Sequence, residues 1–157
     1  EIELLEHLGF GDRDDFQEGS YEWVAARYGT SELKAEHEEK ILKDFGPVFF
    51  LKNFPLHTSP FWNMKRNGNC AKKIDVILYG METIGSAERS TDPEEMLKGF
   101  KTISDGMYAQ TLYAQFTHQR VERELDAFLK LPFFPRCGGG IGINRMIRAT
   151  KEAGLIK

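Results

Sequence analysis

The chain has 157 residues, 41% hydrophobic and 29% charged, with 21 basic against 24 acidic side chains. That composition suits one soluble globular domain and excludes a disordered chain, a collagen-like fibre and a small disulfide scaffold. The longest wholly apolar run, Val48-Phe49-Phe50-Leu51, falls far short of the roughly 18–20 residues of a membrane helix, and a net charge of −3 excludes a general nucleic-acid coat.

Residues 1–46 read as a helical lead-in. Glu1 to Leu8 is a short amphipathic helix stopped at Gly9, and Phe10 to Ser20 is polar and loop-like. Tyr21 to Tyr28 predicts a second helix, ended by Gly29. Ser31 opens a charged helix running through Lys43 to Gly46, with Leu33, Ile41 and Leu42 as its narrow buried stripe. Its run Glu36-His37-Glu38-Glu39 reads as a solvated face rather than a metal cluster.

After Pro47 the period changes. Val48 to Phe54, aromatic and β-branched between prolines, predicts a buried strand. Pro55 to Asn69 is loop, with Trp62 suited either to a pocket wall or to the core. Ile74 to Tyr79 and Glu82 to Glu88 are two further strands joined closely at Gly80-Met81. Asp92 then caps a helix with Pro93 at its first position and Glu94-Glu95 in its first turn. Asp105-Gly106 interrupts, and one long helix is expected from Met107 to Leu131, with an apolar stripe through Leu112, Phe116, Leu125, Phe128 and Leu129. Cys137 to Gly142 must be extended, leading into a last helix of Ile143 to Glu152. The two cysteines, Cys70 and Cys137, have no metal-binding spacing and read as reduced thiols. His57 and His118 suit surface positions. Lys65, Arg66, Lys72 and Lys73 suit either a solvated loop or contact with RNA or pyrophosphate. The chain opens at Glu1 without a signal-peptide pattern, and is read as a piece of a longer protein.

Two clusters carry chemistry. Gly138-Gly139-Gly140-Ile141-Gly142-Ile143-Asn144-Arg145 lets backbone approach a ligand or a neighbouring strand closely, and puts Arg145 in the first turn of the last helix, within reach of a phosphate or a base. It lacks the Lys-Ser/Thr of a P-loop and the third glycine of a dinucleotide fingerprint. In the second cluster Asp75 and Glu82 are acids on strands that otherwise look buried. If those strands are antiparallel neighbours, both carboxylates can face one cavity and hold Mg²⁺ jointly with phosphates; a buried acid–arginine pair is the other reading. Arg89 sits on the opposite side-chain parity from Glu82 unless a bulge near Gly85-Ser86 returns it to the same face.

Together the clusters resemble the C-terminal half of the catalytic domain of class II aminoacyl-tRNA synthetases, in the aspartyl/asparaginyl/lysyl subgroup. The glycine run resembles that class's third motif, Asp75 and Glu82 its two metal-binding acids, and Arg89 the arginine that reads the amino-acid side chain. Pro47 to Leu51, Phe54-Pro55 and Pro60 to Lys65 resemble its strand and substrate-proximal loop. The resemblance implies an α+β fold, an antiparallel sheet flanked by helices, present here in part: residues 1–157 as a single domain, with 1–46 leading in and 47–157 forming the core. It implies ATP and Mg²⁺, with Asp75, Glu82, Gly85, Gly138, Gly140, Gly142 and Arg145 around the nucleotide, Asp75 and Glu82 on the metal, and Arg145 and Glu82 as the catalytic residues. Arg89, Ser86 and Arg136 would meet the amino acid. The reaction would be activation of asparagine or aspartate as an aminoacyl adenylate for ligation to tRNA, in a cytoplasmic enzyme that is a homodimer at full length. Gly85, Asp75-Val76 and Pro47-Val48-Phe49 lean toward asparagine, the preferred reading; Ser86-Ala87 and Pro60-Phe61-Trp62 lean toward aspartate. Amidation of aspartate through the same adenylate and a non-catalytic paralogue are the alternatives. Asn144 stands where an acid is usual, and Arg136-Cys137 where a histidine and a small residue are usual. The family's first two motifs are absent, so this stretch alone is expected to be inactive.

Overall fold

The computed structural model describes residues 1–157. The elements in chain order are α1 (Ile2–Leu8), β1 (Gln17–Ser20), α2 (Tyr21–Arg27), α3 (Ala35–Phe45), β2 (Val48–Pro55), β3 (Arg66–Asn67) and β4 (Cys70–Leu78). There follow β5 (Met81–Arg89), α4 (Pro93–Thr102), α5 (Met107–Phe116), α6 (His118–Leu129), β6 (Arg136–Ile141) and α7 (Ile143–Glu152). They divide between unit 1 (1–54, 73–86 and 139–157) and unit 2 (55–72 and 87–138).

Unit 1 is a sheet with helices on both faces, ordered β1-β2-β4-β5-β6. The apolar run of β2 explains this arrangement, because a strand covered on both sides needs apolar side chains at every position. Val48 and Phe50 pack on one face with Leu5 of α1, Ala149 of α7, Val76 and Leu78. Phe49, Leu51 and Phe54 pack on the other with Tyr21, Val24 and Ala25 of α2, Ile41 of α3 and Ile77. β4 and β5 are joined by the two-residue turn Tyr79-Gly80, in which both residues have positive φ (49° and 75°), the conformation that matches the twist of a hairpin.

The sheet departs from the antiparallel expectation at one edge. β1 pairs parallel with β2, Gln17 opposite Phe49 through Ser20 opposite Lys52. Parallel neighbours need a crossover, which α2 and α3 supply. The polar sequence Gln-Glu-Gly-Ser reads as loop because this short strand carries no apolar alternation. Gly19 is required there, since a Cβ would lie 2.9 Å from the Trp23 ring and 3.0 Å from that of Phe49. The charged helix also starts later than expected, at Ala35, so Leu33 packs from the preceding loop.

Unit 2 is mainly helical, with the β3–β4 hairpin pairing Arg66 with Ala71 and Asn67 with Cys70. The cap of α4 forms as predicted: Asp92 Oδ1 accepts from the backbone N–H groups of Glu94 (2.9 Å) and Glu95 (3.3 Å). The single long helix expected from Met107 to Leu131 is instead two. They break at Thr117 (φ 66°, ψ 144°), whose hydroxyl accepts from Arg120 N at 3.5 Å and caps α6. No proline or glycine marks the break. Its effect is tertiary, turning Val121 and Leu125 of α6 onto Phe100 and Ala109. Phe116, counted in the apolar stripe, is exposed.

The approach of β6 to β5 is closest at Gly139, where a Cβ would stand 2.8 Å from Ser86 Cβ and 2.9 Å from Ser86 Cα. At Gly140 a Cβ would meet nothing within 4 Å. Gly139→Ala is therefore expected to destabilise unit 1 by about 1–3 kcal/mol through overpacking against backbone. Gly140→Ala should change stability by less than ~0.5 kcal/mol. Urea unfolding of both variants checks the pair; equal midpoints would contradict this packing.

Candidate active site

Unit 1 gathers Asp75, Glu82, Gly85, Ser86, Gly140, Gly142 and Arg145, whereas Arg89, Arg136 and Gly138 belong to unit 2. The centre of the first group is a pair of carboxylates. Asp75 lies in the middle of β4, 4% exposed, between apolar neighbours Ile74 and Val76. Its Oδ1 is buried with no hydrogen-bond partner, and its Oδ2 accepts from Lys73 Nζ at 2.5 Å. Lys73 lies two residues earlier on the same side of the strand, its ammonium 3.9 Å from the centre of the Phe54 ring.

Glu82 opens β5. A Cβ at Gly85 would be 3.2 Å from Asp75 Oδ1 and 3.2 Å from Glu82 Oε1, so the two carboxylates converge over a glycine whose missing side chain leaves them room. The expectation that both acids face one space holds. Arg145, third residue of α7, reaches back to the same strand: its Nη1 donates to the Glu82 carbonyl at 2.7 Å, while Gly142 N donates to Thr83 O at 2.8 Å. The guanidinium thus ends its hydrogen bond on a neutral acceptor, while its positive charge also acts on the Glu38 carboxylate. Ser86 Oγ donates to the Glu1 carboxylate.

One part of this site is not legible in the local sequence. The run Glu36 to Glu39 is not a wholly solvated face. His37 is buried, stacked on Tyr28, with Nδ1 accepting from Lys34 N at 2.9 Å. Glu38 Oε2 accepts from Glu82 N at 2.8 Å and fixes the start of β5. Lys73, by contrast, was detectable from its alternation with Asp75. Burial is the main cause that raises the Glu38 carboxyl above its usual range, opposed by the Glu82 N–H bond.

In unit 2, Arg89 ends β5 with Nη1 donating to Asn63 Oδ1 (2.9 Å) and Nη2 to the Gly138 carbonyl (3.1 Å). Asn63 is held there by backbone: Ser90 N donates to Asn63 O at 2.9 Å, and Met64 bridges Arg89. Arg136 Nη1 donates to the carbonyls of Ser90 (3.3 Å) and Phe134 (3.4 Å). Both arginines line a cavity of about 430 Å³. Trp62 does not line it; it packs edge-on against Phe100 and Phe128 at 5.6 Å as part of the helical core. The basic residues upstream are not a solvated loop: Lys65 and Lys72 both bind Glu88, which lowers its carboxyl below the usual range.

The donor set suits a hard divalent cation. The carboxylates of Asp75 and Glu82 leave an unpartnered buried oxygen, and Mg²⁺ is usually held by one or two carboxylates with the remaining positions given to water and phosphate. Burial, partly offset by Lys73 and reinforced by Glu82 and Glu38, raises the Asp75 carboxyl from 3.8 to about 6. The folded state therefore holds this proton more tightly than the unfolded state. Its stabilising contribution is full below pH 3.8 and is lost as pH rises through about 6, by roughly 3 kcal/mol. In metal-free buffer, Asp75→Asn is expected to flatten the fall in urea midpoint between pH 4 and 7. Parallel pH profiles for parent and variant would contradict the burial argument.

Residues 7–157 match the family model for class II tRNA synthetases (D, K and N). Over 119 residues the chain is 27% identical to the aspartate–tRNA(Asp) ligase of Pyrobaculum aerophilum, covering 75% of this chain and 25% of that protein. The asparaginyl-tRNA synthetase of Pyrococcus horikoshii, solved with asparaginyl-adenylate, superposes with a TM-score of 0.65 at 21% identity, over 87% of this chain and 32% of that one. The Entamoeba histolytica asparaginyl-tRNA synthetase, also solved with asparaginyl-adenylate, gives 0.68 at 14% identity, over 94% and 35%. The chain thus spans about a quarter to a third of the length of these relatives. With an α+β sheet flanked by helices and this family match over nearly its whole length, the chain belongs to the class II tRNA synthetases of the aspartyl, lysyl and asparaginyl group.

Proposed function

We propose that this chain is the C-terminal portion of a synthetase catalytic core that activates aspartate or asparagine with ATP. The observation that carries the reading is the convergence of Asp75 Oδ1 and Glu82 Oε1 over Gly85, with the Arg145 guanidinium bonded to the Glu82 carbonyl. Two carboxylates with an unpartnered oxygen beside an arginine that hydrogen-bonds only a carbonyl suit a metal–triphosphate, which carries both signs of charge.

Asp75 and Glu82 would hold Mg²⁺, which when bound supplies positive charge against the phosphates. Arg145 provides the second cation, stacking on the adenine or reaching the γ-phosphate. In unit 1 the backbone of Gly140 and Gly142, with Gly85, would allow close approach of the nucleotide, whereas the space beside Gly138, in unit 2, is taken by Arg89. In unit 2 the amino-acid side chain is read by Arg89, with Arg136 as a further contact; Ser86, in unit 1, is bonded to Glu1 instead. An oxygen of the amino-acid carboxylate attacks the α-phosphorus, the bond to the β-phosphate oxygen breaks, and pyrophosphate leaves with the electron pair. The attacking carboxylate is already ionised, so no side chain needs to remove a proton. The protein's part is orientation and charge placement. The whole protein would pass the adenylate to tRNA, as a cytoplasmic homodimer. No helix is long and apolar enough to cross a membrane.

Calorimetric titration with ATP and Mg²⁺ tests the nucleotide half of this reading. The folded parent is expected to bind ATP, and Arg145→Ala to weaken it at least ~10-fold, the loss of a charge-assisted contact. The melting temperature should stay unchanged, because the arginine is exposed and bonds one carbonyl. Failure of the folded parent to bind ATP, or undiminished affinity in Arg145→Ala, would refute it.

A further inference from the structure

We propose that Arg136 is a specificity-determining residue, and that the unit 2 cavity selects an amino acid with an anionic side chain, aspartate over asparagine. The inference rests on the amino-acid-activating function proposed above and names its substrate class.

The cavity of about 430 Å³ is walled by Phe61 and Phe128 and holds two guanidinium groups, those of Arg89 and Arg136, with no carboxylate among its lining residues. Both cations are held by neutral acceptors. Arg89 donates to the Asn63 amide oxygen and the Gly138 carbonyl. Arg136 donates to the carbonyls of Ser90 and Phe134, its guanidinium 4.8 Å from the centre of the Phe133 ring. These bonds fix direction without cancelling charge. Three acids of unit 2 close in sequence to Arg89 are committed elsewhere, Glu88 to Lys65 and Lys72, Asp92 to the α4 cap, and Glu95 to Ser90 Oγ at 2.6 Å, and the fourth, Glu94, is exposed and does not line the cavity.

A ligand entering this cavity meets donors and positive charge together. A carboxylate side chain satisfies both, since its oxygens accept from guanidinium in bidentate geometry. The asparagine amide offers one acceptor oxygen and turns an NH₂ donor toward a wall already rich in donors, leaving N–H groups opposed. A single arginine could accept either side chain by presenting itself to the shared oxygen. The second, two positions before Gly138, removes that neutrality. The motifs around Gly85 and Ser86 divide between the two amino acids; the charge of the cavity does not.

The test is calorimetric titration of L-aspartate and L-asparagine into the parent, Arg136→Met and Arg136→Lys, with folding checked by thermal melts. The parent is expected to bind aspartate at least ~10-fold tighter than asparagine, the discrimination expected of a site built around charge-assisted hydrogen bonds. The ratio should collapse toward one in Arg136→Met and be largely retained in Arg136→Lys, which keeps the charge. A purely structural role for Arg136 would move the melting temperature and leave the ratio alone. Equal affinities in the parent, or an unchanged ratio in Arg136→Met, would overturn the inference. A folded parent that binds ATP but neither amino acid would overturn it while leaving the nucleotide site standing. Loss of ATP binding as well would remove the function on which it rests.

Discussion

A carboxylate in the middle of a fully covered strand is the constraint from which the rest of unit 1 follows. β4 is packed by helices on both faces, and Val76, Ile77 and Leu78 serve that packing, yet Asp75 sits among them almost without exposure. An isolated buried carboxylate is costly, and the fold answers it only in part. Lys73 takes one oxygen, and Gly85 removes the side chain that would have filled the space beside the other. Glu38 and Glu82 then add negative charge to a region already short of compensation. An arrangement optimised for stability alone would place an apolar side chain at position 75. Retaining the acid is intelligible if a cation completes it.

The hydrogen bonds around this centre serve placement. Glu38 bonds the backbone of Glu82, Arg145 bonds the carbonyl of the same residue, and Gly142 bonds the next one. Three segments distant in sequence, in α3, β5 and the start of α7, thereby fix one strand end. The close contact of Gly139 with Ser86 holds β6 in the register that delivers Arg145 there. The glycine run thus has two separable duties. Gly139 is demanded by strand packing, whereas Gly140 faces open space and no packing neighbour requires it.

What was legible in the sequence depended on whether the determining physics was local. The α4 cap, the bounds of α7 and the β4–β5 hairpin are set by residues within a few positions; Asp92-Pro93 announces the first, and the hairpin was legible although its turn falls at Tyr79-Gly80, one position before the expected Gly80-Met81. The acid pair was legible because polar residues on apolar strands are conspicuous, and the ordered motifs pointed to the family. β1 was not, because its only qualification is a free row of backbone groups beside β2. The break at Thr117 was missed for the same kind of reason: it is imposed by the packing of Val121 and Leu125, without a proline or glycine to mark it. Glu38 and Asn63 were invisible because their roles exist only through contacts with Glu82 and Arg89.

The two units solve opposite electrostatic problems with one strategy. In unit 1 carboxylate oxygens outnumber the cations that touch them; in unit 2 two guanidinium groups line a cavity without a carboxylate. In unit 1 Lys73 takes one oxygen of Asp75 and leaves the other unpartnered, whereas in unit 2 both guanidinium groups are oriented by neutral backbone or amide acceptors that fix geometry while leaving the field intact. Such a site binds a ligand of opposite sign with little reorganisation, because the cost of assembling like charges was met during folding. The same logic explains why Arg136 matters more than its half-buried, weakly bonded position suggests. Its hydrogen bonds at 3.3 and 3.4 Å are too long to contribute much to stability, but they hold a full positive charge beside a second one. Charge kept uncompensated at the expense of better local pairing is the signature of a residue retained for what it meets rather than for what it holds together.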